Sequence, residues 1–360
     1  MKITAAVAHP DATGFALETL SLALPRADEI RVKIAGVGLC HTDVVVRDSG
    51  AGWFPFPAVL GHEGAGIVEA VGDGVSHVAP GDAVVLSFSH CGHCRACHHA
   101  EPAHCADMLA LNFKGARPDG STALATPSGQ PVASHFFGQS AFASHAVVAA
   151  ACAVKVPQTP RLALLGPLGC GIQTGAGAVL HSLAARLGDS LLVLGGGSVG
   201  LSAVMAAKIA GCAQIFVLEP HAARRALAQE FGATHVLDPA ETADLPTGLD
   251  HVLDTTGRPE LIARAFAGLG RRGTMGLVAA SPRGSTLSTG LNDLVSTGQR
   301  LIGIIEGDAD PHRFIPELLA HHAAGRLPFD RMIRTYPLAD IATAIDDQHQ
   351  GRVVKAVLIP

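Results

Sequence analysis

Charged and aromatic residues are both scarce in this chain of 360 residues, at 16% and 4%. An average soluble protein has about 25% charged residues. The 26 Lys and Arg against 31 Asp and Glu give a formal net charge of −5, and without a basic excess neither a nucleic acid nor an anionic membrane is an expected partner. Because 48% of the residues are hydrophobic, the chain can bury sizeable cores, and its length predicts two domains, or three at most.

Cysteine is also infrequent, with eight residues in the chain, far fewer than in a disulfide scaffold. The segment Met1–Pro10 lacks the basic and apolar regions of a secretory signal. Both features predict a cytoplasmic, reducing location, where clustered thiols are more often metal ligands than disulfides. The uncharged run Ser190–Ala207 has central glycines, which favour a strand, a turn and a helix over a membrane span.

The predicted fold class is α/β with two domains. Short strands follow one another closely in the first half, as at Glu29–Gly36 and Ala83–Phe88, which indicates a β-rich, partly barrel-like domain. From about residue 172, strands alternate with helices, the pattern of a doubly wound parallel sheet. We therefore assign residues 1–171 and 307–360 to the β-rich domain and residues 172–306 to an inserted Rossmann-type domain.

The sequence GGGSVG at residues 195–200 fits the dinucleotide-binding pattern G-x-G-x-x-G. It follows a predicted strand and opens a predicted helix, and the acidic Glu219 ends the next strand. A carboxylate there accepts hydrogen bonds from the adenosine ribose and repels a 2′-phosphate, so NAD is favoured over NADP. The candidate cofactor-binding residues are Gly195, Gly197, Ser198, Val199, Gly200 and Glu219.

A group of four cysteines falls within fifteen residues: Cys91, Cys94, Cys97 and Cys105. Four thiolates complete the closed tetrahedral shell of a structural zinc ion. Short cysteine runs also bind iron–sulfur clusters, but the seven-residue gap before Cys105 and the alanine after it depart from the bacterial ferredoxin pattern. The sequence therefore predicts a structural zinc lobe over about residues 88–110.

Three further candidate metal ligands are scattered along the chain, namely Cys40, His62 and Cys170. Two thiolates and one imidazole leave the fourth position of a tetrahedral zinc ion open, which is what catalysis requires. Taken singly, each cysteine fits equally well as a small buried residue of the core. Spacing alone leaves both interpretations open.

The ordered motifs of the chain resemble those of a known family. They are GLCHTD at 38–43, GHEGAG at 61–66, the four-cysteine lobe, LGCGIQTGAGAV at 168–179, the dinucleotide pattern, and a basic residue, Lys355, before the last predicted strand. In this order they resemble the zinc-dependent alcohol dehydrogenases of the medium-chain dehydrogenase/reductase superfamily. Within it, FFGQSAF at 136–142 and EGDADP at 306–311 look like the aryl-alcohol (benzyl alcohol) and geraniol dehydrogenases.

The resemblance implies a GroES-like catalytic domain, a Rossmann NAD-binding domain and two zinc ions per chain. It implies that Cys40, His62 and Cys170 hold the catalytic zinc and that Glu63 is a nearby carboxylate able to replace a ligand. Asp43 would then hydrogen-bond His62, and Thr42 would take the proton of the zinc-bound alcohol.

The resemblance also implies cofactor contacts. Thr174 and Val199 would touch the nicotinamide, and His41 and Lys355 would contact the pyrophosphate. The chain departs from the family at Val45, where many members carry a histidine that passes the proton to solvent; water or His41 would have to replace it.

The substrate pocket is expected in the first domain, where most aromatic residues lie. The candidates are Trp53, Phe88 and Phe136. An apolar pocket favours benzylic or allylic alcohols over polyols, whose hydroxyl groups would be buried without hydrogen-bond partners.

The sequence thus predicts zinc- and NAD-dependent, reversible oxidation of primary benzylic or allylic alcohols, such as benzyl alcohol or geraniol, to aldehydes. The alternatives are oxidation of aliphatic alcohols or a formaldehyde–thiol adduct, a zinc-free quinone or enone reductase, and a non-catalytic zinc or iron–sulfur module. By analogy, the edge strand predicted at Leu301–Ile305 would pair two chains, which suggests a homodimer or a homotetramer.

Overall fold

The computed structural model describes residues 1–10, 13–49 and 53–360. These residues divide into two compact units. Unit 1 comprises residues 1–170, 310–317 and 333–360, and unit 2 comprises residues 171–309 and 318–332. Residues 171, 307–309 and 318–332 lie in unit 2, whereas the sequence patterns assigned them to the first domain. The local pattern of hydrophobic residues in a segment does not show which of two cores its side chains join.

The strands are β1 (Lys2–Ala8), β2 (Phe15–Leu22), β3 (Glu29–Gly38), β4 (Ala58–Val59), β5 (Gly64–Val71), β6 (Ala83–Leu86), β7 (Leu124–Ala125), β8 (Pro131–Val132), β9 (His145–Ala149), β10 (Ala153–Val156), β11 (Ser190–Leu194), β12 (Gln214–Leu218), β13 (His235–Leu237), β14 (Leu249–Asp254), β15 (Leu269–Leu277), β16 (Arg300–Gly303), β17 (Ile333–Pro337) and β18 (Lys355–Ile359).

The α-helices are α1 (His41–Asp48), α2 (Arg95–His98), α3 (Met108–Phe113), α4 (Gly171–Gly177), α5 (Ser198–Ala210), α6 (Ala222–Phe231), α7 (Pro259–Ala267), α8 (Leu291–Thr297), α9 (Pro311–Ala323) and α10 (Ile341–His349).

Unit 1 contains two mostly antiparallel sheets. One has the strand order β4-β1-β2-β7-β8, and the other has the order β10-β6-β5-β3-β18-β17, with β9 also pairing with β3. Side chains from both sheets form one hydrophobic core, which includes Ile30, Val32, Leu86 and Phe142. β3 ends two residues before Cys40, so the core-packed strand fixes where α1 begins.

Unit 2 is built on a parallel sheet with the order β13-β12-β11-β14-β15-β16. Numbered within the unit, this is the order 3-2-1-4-5-6 of a doubly wound dinucleotide-binding fold. All five residues of the central strand β11 are buried, as expected for a parallel strand covered on both faces. The predicted fold class, a β-rich domain with a Rossmann-type domain, is confirmed.

The uncharged run Ser190–Ala207 forms β11, the glycine turn and most of α5, as predicted. Within the residues that the structure describes, no single helix is long and apolar enough to cross a membrane. Two consecutive helical segments, 162–169 and 171–182, pass that test of length and composition when they are taken together.

Candidate active site

Asp43 organises the start of α1. Its carboxylate is completely buried and accepts the backbone N–H of Cys40 at 3.0 Å and that of Gly61 at 3.0 Å. The same carboxylate lies 2.9 Å from Nδ1 of His62. One side chain therefore ties the GLCHTD segment to the GHEGAG segment, and it places Nδ1–H of the imidazole as a donor, so that Nε2 carries the free lone pair.

Four potential metal ligands converge in unit 1. The ligand atoms of Cys40, His62, Glu63 and Cys170 all lie within 4.8 Å of one another. Nε2 of His62 is buried and has no hydrogen-bond partner, which is costly unless another ligand occupies that lone pair. Two thiols, one imidazole and a nearby carboxylate are the donors of a catalytic zinc site, so the residues fit this metal.

The electrostatics of the group also suit a cation. Burial by itself lowers the pKa of His62, but the negative charges of Asp43 and Cys40 outweigh it and raise this pKa well above its ordinary value. A hydrogen bond with Cys170 lowers the pKa of the Cys40 thiol well below its ordinary value. The site thus favours a thiolate and concentrates negative charge around Nε2, where a positive ion is stabilised.

Thr42 lies beside this group on the first turn of α1. Its Oγ1 is 3.7 Å from Sγ of Cys40, and the side chain is half-buried. The neighbouring His41 is exposed, and Val45 on the next turn is 48% exposed. Val45 therefore offers no proton acceptor on that face of the helix.

Glu63 is paired with Lys355, and both side chains are almost completely buried. Nζ of Lys355 donates to Oε1 of Glu63 at 2.7 Å and to the carbonyl oxygen of Leu39 at 3.1 Å. Burial lowers the pKa of Lys355, but attraction to Glu63 and Cys40 outweighs it, so this pKa is raised and the ammonium stays charged. The structure gives Lys355 partners other than the predicted pyrophosphate, because β18 directs its side chain into the core; a pyrophosphate contact stays a prediction.

The four clustered cysteines form a second group. The sulfur atoms of Cys91, Cys94, Cys97 and Cys105 lie within 4.8 Å of one another. Backbone N–H groups point at these sulfurs, for example from Cys91 to Cys105 at 3.3 Å and from Ala106 to Cys94 at 3.5 Å. The hydrogen bond from Ala106 is the main cause that lowers the pKa of Cys94 to about 6. Four thiols whose sulfur atoms lie this close together fit the closed shell of a structural zinc ion.

The dinucleotide pattern forms the expected turn between β11 and α5. Gly195 has φ of 98°, and a Cβ on Gly200 would lie 1.9 Å from the carbonyl oxygen of Gly195, so both positions require glycine. Glu219, at the end of β12, accepts the N–H of Gly196 at 2.6 Å and that of His221 at 2.9 Å. Because each carboxylate oxygen has a second lone pair, this fixed carboxylate can still accept from ribose hydroxyls.

The remaining predicted cofactor residues of unit 2 are Gly197, Ser198, Val199 and Thr174. Gly197 caps α5 and Ser198 begins it, and Val199 follows in the first turn. A Cβ on Gly175 would lie 2.0 Å from the carbonyl oxygen of Val199, so α4, which carries Thr174, packs directly against that turn. The nicotinamide contacts of Thr174 and Val199 stay predictions.

A series of aromatic rings in unit 1 leads from the surface to His62. Trp53, which is 48% exposed, lies 5.6 Å from Phe113 between ring centroids, and Phe113 lies 4.9 Å from Phe137. Phe137 stacks on the imidazole of His62 at 4.3 Å, and Phe136 meets the same ring edge-on at 5.4 Å. These five residues form what we call the aromatic cluster.

The predicted pocket residues Trp53 and Phe136 both belong to the aromatic cluster. Phe88 is buried, and its ring lies 6.4 Å from that of His90. Phe113 and Phe137 are among the aromatic residues of the first domain, but the sequence did not mark them as pocket candidates. The sequence signal for Phe137 is its position directly after the candidate Phe136.

Gln139 is another residue whose role the sequence did not reveal. Its side chain is buried, and Nε2 donates to the carbonyl oxygens of His62 at 2.8 Å and Ser87 at 2.9 Å. Oε1 accepts the N–H of Gly64 at 3.1 Å. Gln139 thus supports the backbone on both sides of the ligand pair His62 and Glu63.

Comparison with known proteins is consistent with this geometry. Residues 26–158 match the family described as alcohol dehydrogenase GroES-like domain, and residues 198–322 match the family described as zinc-binding dehydrogenase. The chain is 49% identical over 353 residues to geraniol dehydrogenase of Castellaniella defragrans, covering 96% of this chain and 94% of that protein.

Two crystal structures are similar over nearly their whole length. An alcohol dehydrogenase zinc-binding domain protein from Burkholderia ambifaria has a TM-score of 0.96 and 46% identity, covering 100% of this chain and 99% of that one. Benzyl alcohol dehydrogenase from Acinetobacter calcoaceticus has a TM-score of 0.94 and 38% identity, with the same coverage.

A GroES-like domain with two thiol-rich metal groups, followed by a doubly wound sheet, defines a medium-chain zinc dehydrogenase. Because a relative that is 49% identical aligns with 96% of this chain, the chain belongs to the zinc-dependent alcohol dehydrogenases of the medium-chain dehydrogenase/reductase superfamily. It is an enzyme, which excludes a non-catalytic metal module. Cys91, Cys94, Cys97 and Cys105 form its structural zinc site, and Cys40, His62 and Cys170 form its catalytic zinc site.

Proposed function

We propose that this enzyme catalyses the NAD-dependent, reversible oxidation of primary benzylic and allylic alcohols to aldehydes. The observation that carries the proposal is the arrangement around His62, whose unpartnered Nε2 lies with Cys40 and Cys170 while aromatic rings cover the imidazole. The metal ligands around Nε2 support alcohol chemistry, and the aromatic rings support an apolar substrate.

The residues of the zinc site divide the chemical work. Cys40, His62 and Cys170 would hold the zinc ion, which would supply Lewis-acid chemistry and lower the pKa of an alcohol oxygen toward neutrality. Asp43 keeps Nδ1 of His62 protonated, so Nε2 stays available as a ligand. The Thr42 hydroxyl lies beside the ligands, 3.7 Å from Sγ of Cys40, and is the group that would take the alcohol proton.

The overall reaction converts the alcohol and NAD⁺ into the aldehyde, NADH and a proton. The carbinol carbon loses a hydride and the hydroxyl oxygen loses its proton through Thr42. Glu63 provides a carboxylate within 4.8 Å of the other ligand atoms, and Lys355 neutralises it, which prevents an excess of buried negative charge when the thiolates are unliganded.

The cofactor preference proposed is NAD over NADP. Glu219 is held by two backbone N–H groups at the end of β12, where its charge repels a 2′-phosphate. The neighbouring Arg225 does not reverse this preference. Arg225 donates to the carbonyl oxygens of Glu219 and Pro220 and pairs with Asp238 at 2.8 Å, so its charge is already used within the protein.

The proposed substrate class rests on the aromatic cluster. Aromatic side chains offer an apolar surface with preferred edge and stacked contacts for a benzyl ring or an allylic double bond. Relatives described as geraniol and benzyl alcohol dehydrogenases support the same class. An aliphatic alcohol or a formaldehyde–thiol adduct would use the zinc chemistry equally well but would gain less from these rings.

We also propose that the enzyme is a homodimer or a homotetramer. β16 is the last strand of the unit 2 sheet and carries unpaired backbone groups on its outer side. Leu301 on it is 42% exposed, and nearby Leu291 and Val295 on α8 are 79% and 85% exposed. Exposed edge strands with apolar neighbours pair readily with a second chain. Sedimentation at micromolar concentration should give a mass of at least two chains.

The decisive test is a rate comparison with purified, zinc-loaded enzyme. Benzyl alcohol and geraniol should give higher kcat/KM values than hexanol, ethanol, sorbitol and the adduct of formaldehyde with a thiol, and NAD should be reduced faster than NADP. Equal efficiency on sorbitol and benzyl alcohol would contradict the substrate class. Activity that survives complete zinc removal would contradict the mechanism.

A further inference from the structure

Glu306 is a buried acidic residue at the carboxyl edge of the unit 2 sheet. It begins a 3-10 turn, Glu306–Asp308, three residues after β16 ends at Gly303, and it is 9% exposed. A dinucleotide lies across the carboxyl ends of a doubly wound sheet, with one nucleoside on each half. Since Glu219 ends β12 in one half, the half that contains β16 is left for the nicotinamide nucleoside.

The side chain of Glu306 is joined to α4. Its Oε2 accepts a hydrogen bond from Nε2 of Gln173 at 3.0 Å and lies 3.4 Å from Oγ1 of Thr174. α4 is buried throughout and packs through Gly175 on the carbonyl oxygen of Val199. The carboxylate therefore belongs to one continuous patch with the first turn of the dinucleotide-binding helix.

The backbone at Glu306 is held in an uncommon conformation. The φ angles of Glu306, Gly307 and Asp308 are 50°, 69° and 50°, values that are unfavourable for residues other than glycine. Asp308 secures the turn, since its carboxylate accepts from Oγ of Ser182 at 2.6 Å and its N–H donates to the carbonyl oxygen of Ile305 at 2.8 Å. Strain of this kind is concentrated at ligand sites, where it fixes a side chain.

The turn also fits tightly against α4. A Cβ on Gly177 would lie 2.4 Å from the carbonyl oxygen of Gly307, and one on Gly307 would lie 2.5 Å from the carbonyl oxygen of Gln173. Glycine at both positions lets the two backbones touch. The Glu306 carboxylate is thereby set in place by backbone contact as well as by Gln173.

We propose that Glu306 determines the redox-state preference of the cofactor site, by placing a negative charge at its nicotinamide end. This inference rests on the proposed NAD-dependent function. The nicotinamide ring is positively charged in NAD⁺ and neutral in NADH, so a fixed carboxylate attracts the oxidised form selectively. ADP-ribose shares the adenosine and pyrophosphate but has no nicotinamide, so its binding does not depend on this charge.

The test compares binding of NAD⁺, NADH and ADP-ribose to the full-length, zinc-loaded protein by calorimetry, without substrate. Glu306→Gln removes the charge and keeps the shape; we expect the dissociation constant of NAD⁺ to rise about tenfold, while those of NADH and ADP-ribose stay within about twofold. Glu306→Asp keeps the charge and tolerates the same backbone, so it should retain most of the preference for NAD⁺.

Glu230→Gln serves as the matched control. Glu230 lies near the end of α6, which runs back from the carboxyl edge to the opposite edge of the sheet, and it pairs with Arg331 on the surface. The Glu230→Gln variant loses one negative charge from unit 2, as Glu306→Gln does. The dissociation constants of NAD⁺, NADH and ADP-ribose should therefore remain those of the wild type.

The other outcomes are decisive as well. If Glu306→Gln leaves the ratio of the NAD⁺ and NADH dissociation constants unchanged, the inference is wrong. If it weakens all three ligands equally, Glu306 is only a structural support, and the inference is again wrong. If the wild type binds none of the three ligands, the proposed function fails, and that result is distinct from a change confined to the variant.

Discussion

Oδ1 of Asp43 lies 2.9 Å from Nδ1 of His62, and both side chains are completely buried. This contact joins a residue in the first turn of α1 to a zinc ligand nineteen positions further along the chain. It decides which nitrogen of the imidazole is free to bind the metal, and the first prediction follows from it.

Asp43→Asn should weaken zinc binding at the catalytic site. An amide presents either an N–H₂ that opposes Nδ1–H or an oxygen with no charge, so the imidazole loses its orientation, and a loss of about 10- to 100-fold in affinity is expected. Competition with a chromophoric chelator measures this, with zinc at the four-cysteine site as an internal reference. Asp48→Asn, at the other end of α1, is the control and should keep both zinc ions.

Thr42→Val should remove the proton acceptor beside the zinc ligands. Valine keeps the shape of threonine without its hydroxyl, so we expect kcat for alcohol oxidation to fall by about 10²- to 10⁴-fold while the zinc content stays unchanged. Thr42→Ser restores a hydroxyl and should recover most of the activity. Wild-type turnover in Thr42→Val would show that the proton leaves by another route.

Cys97→Ser should empty the structural site and leave the catalytic site filled. Metal analysis should then find about one zinc per chain in place of about two, and the thermal unfolding midpoint should fall because the lobe loses the ion that its sulfurs surround. Cys212→Ser removes a thiol outside both groups and should change neither quantity. A variant of Cys97 that retained both zinc ions would contradict the four-cysteine assignment.

Trp53→Ala should change substrate preference without unfolding the protein, because Trp53 is 48% exposed. Its ring lies at the outer end of the aromatic cluster, and an aromatic contact contributes about 0.5–1.5 kcal/mol. The kcat/KM for benzyl alcohol should therefore fall about 2- to 10-fold, while that for ethanol stays the same. An equal fall for both alcohols would place Trp53 outside the substrate pocket.

Glu29 should contribute to stability in a pH-dependent way. Burial alone raises its pKa, but hydrogen bonds from His135 and Arg117 outweigh burial and lower it from 4.5 to about 2. The unfolded chain therefore binds a proton near pH 4.5, whereas the folded chain does so only near pH 2. The stabilisation, about 3 kcal/mol, is present above pH 4.5 and is lost as the pH falls through that range.

Glu29→Gln tests this contribution by urea unfolding at several pH values. At pH 7 the variant should be less stable by about 3 kcal/mol, and the difference from the wild type should shrink below about pH 4.5. Asp28→Asn, at the exposed neighbouring position, should follow the wild-type curve. A constant difference at all pH values would mean that the Glu29 charge is not what stabilises the fold.

The features that could be predicted from sequence are those with short-range causes. The fold class followed from strand spacing and from strand–helix alternation, and the glycine turn at 195–200 formed between β11 and α5 as expected. The four cysteines could be assigned to one metal site from the sequence. They fall within fifteen residues, so almost any compact loop brings their sulfur atoms together. In each case the chain itself limits the number of arrangements.

Contacts between residues far apart in the chain could not be predicted from local sequence patterns. The membership of residues 318–332 in unit 2 depends on which core their side chains join. The pairing of Lys355 with Glu63 depends on the face of β18 that turns inward. The stacking of Phe137 on His62 depends on where the turn between β8 and β9 packs. None of these has a local pattern, because their partners are 75 or more residues apart along the chain.

The sequence by itself determined the chemistry available to this protein: thiols and imidazoles for two zinc ions, a glycine turn for a pyrophosphate, and a carboxylate for a ribose. Only the tertiary structure decided which donors meet, since Cys40, His62 and Cys170 span 131 residues and their ligand atoms still lie within 4.8 Å. The physical reason is that the burial of apolar strands offsets the entropy lost when these long loops close. The buried Asp43 then fixes the orientation of the His62 imidazole among the other ligands.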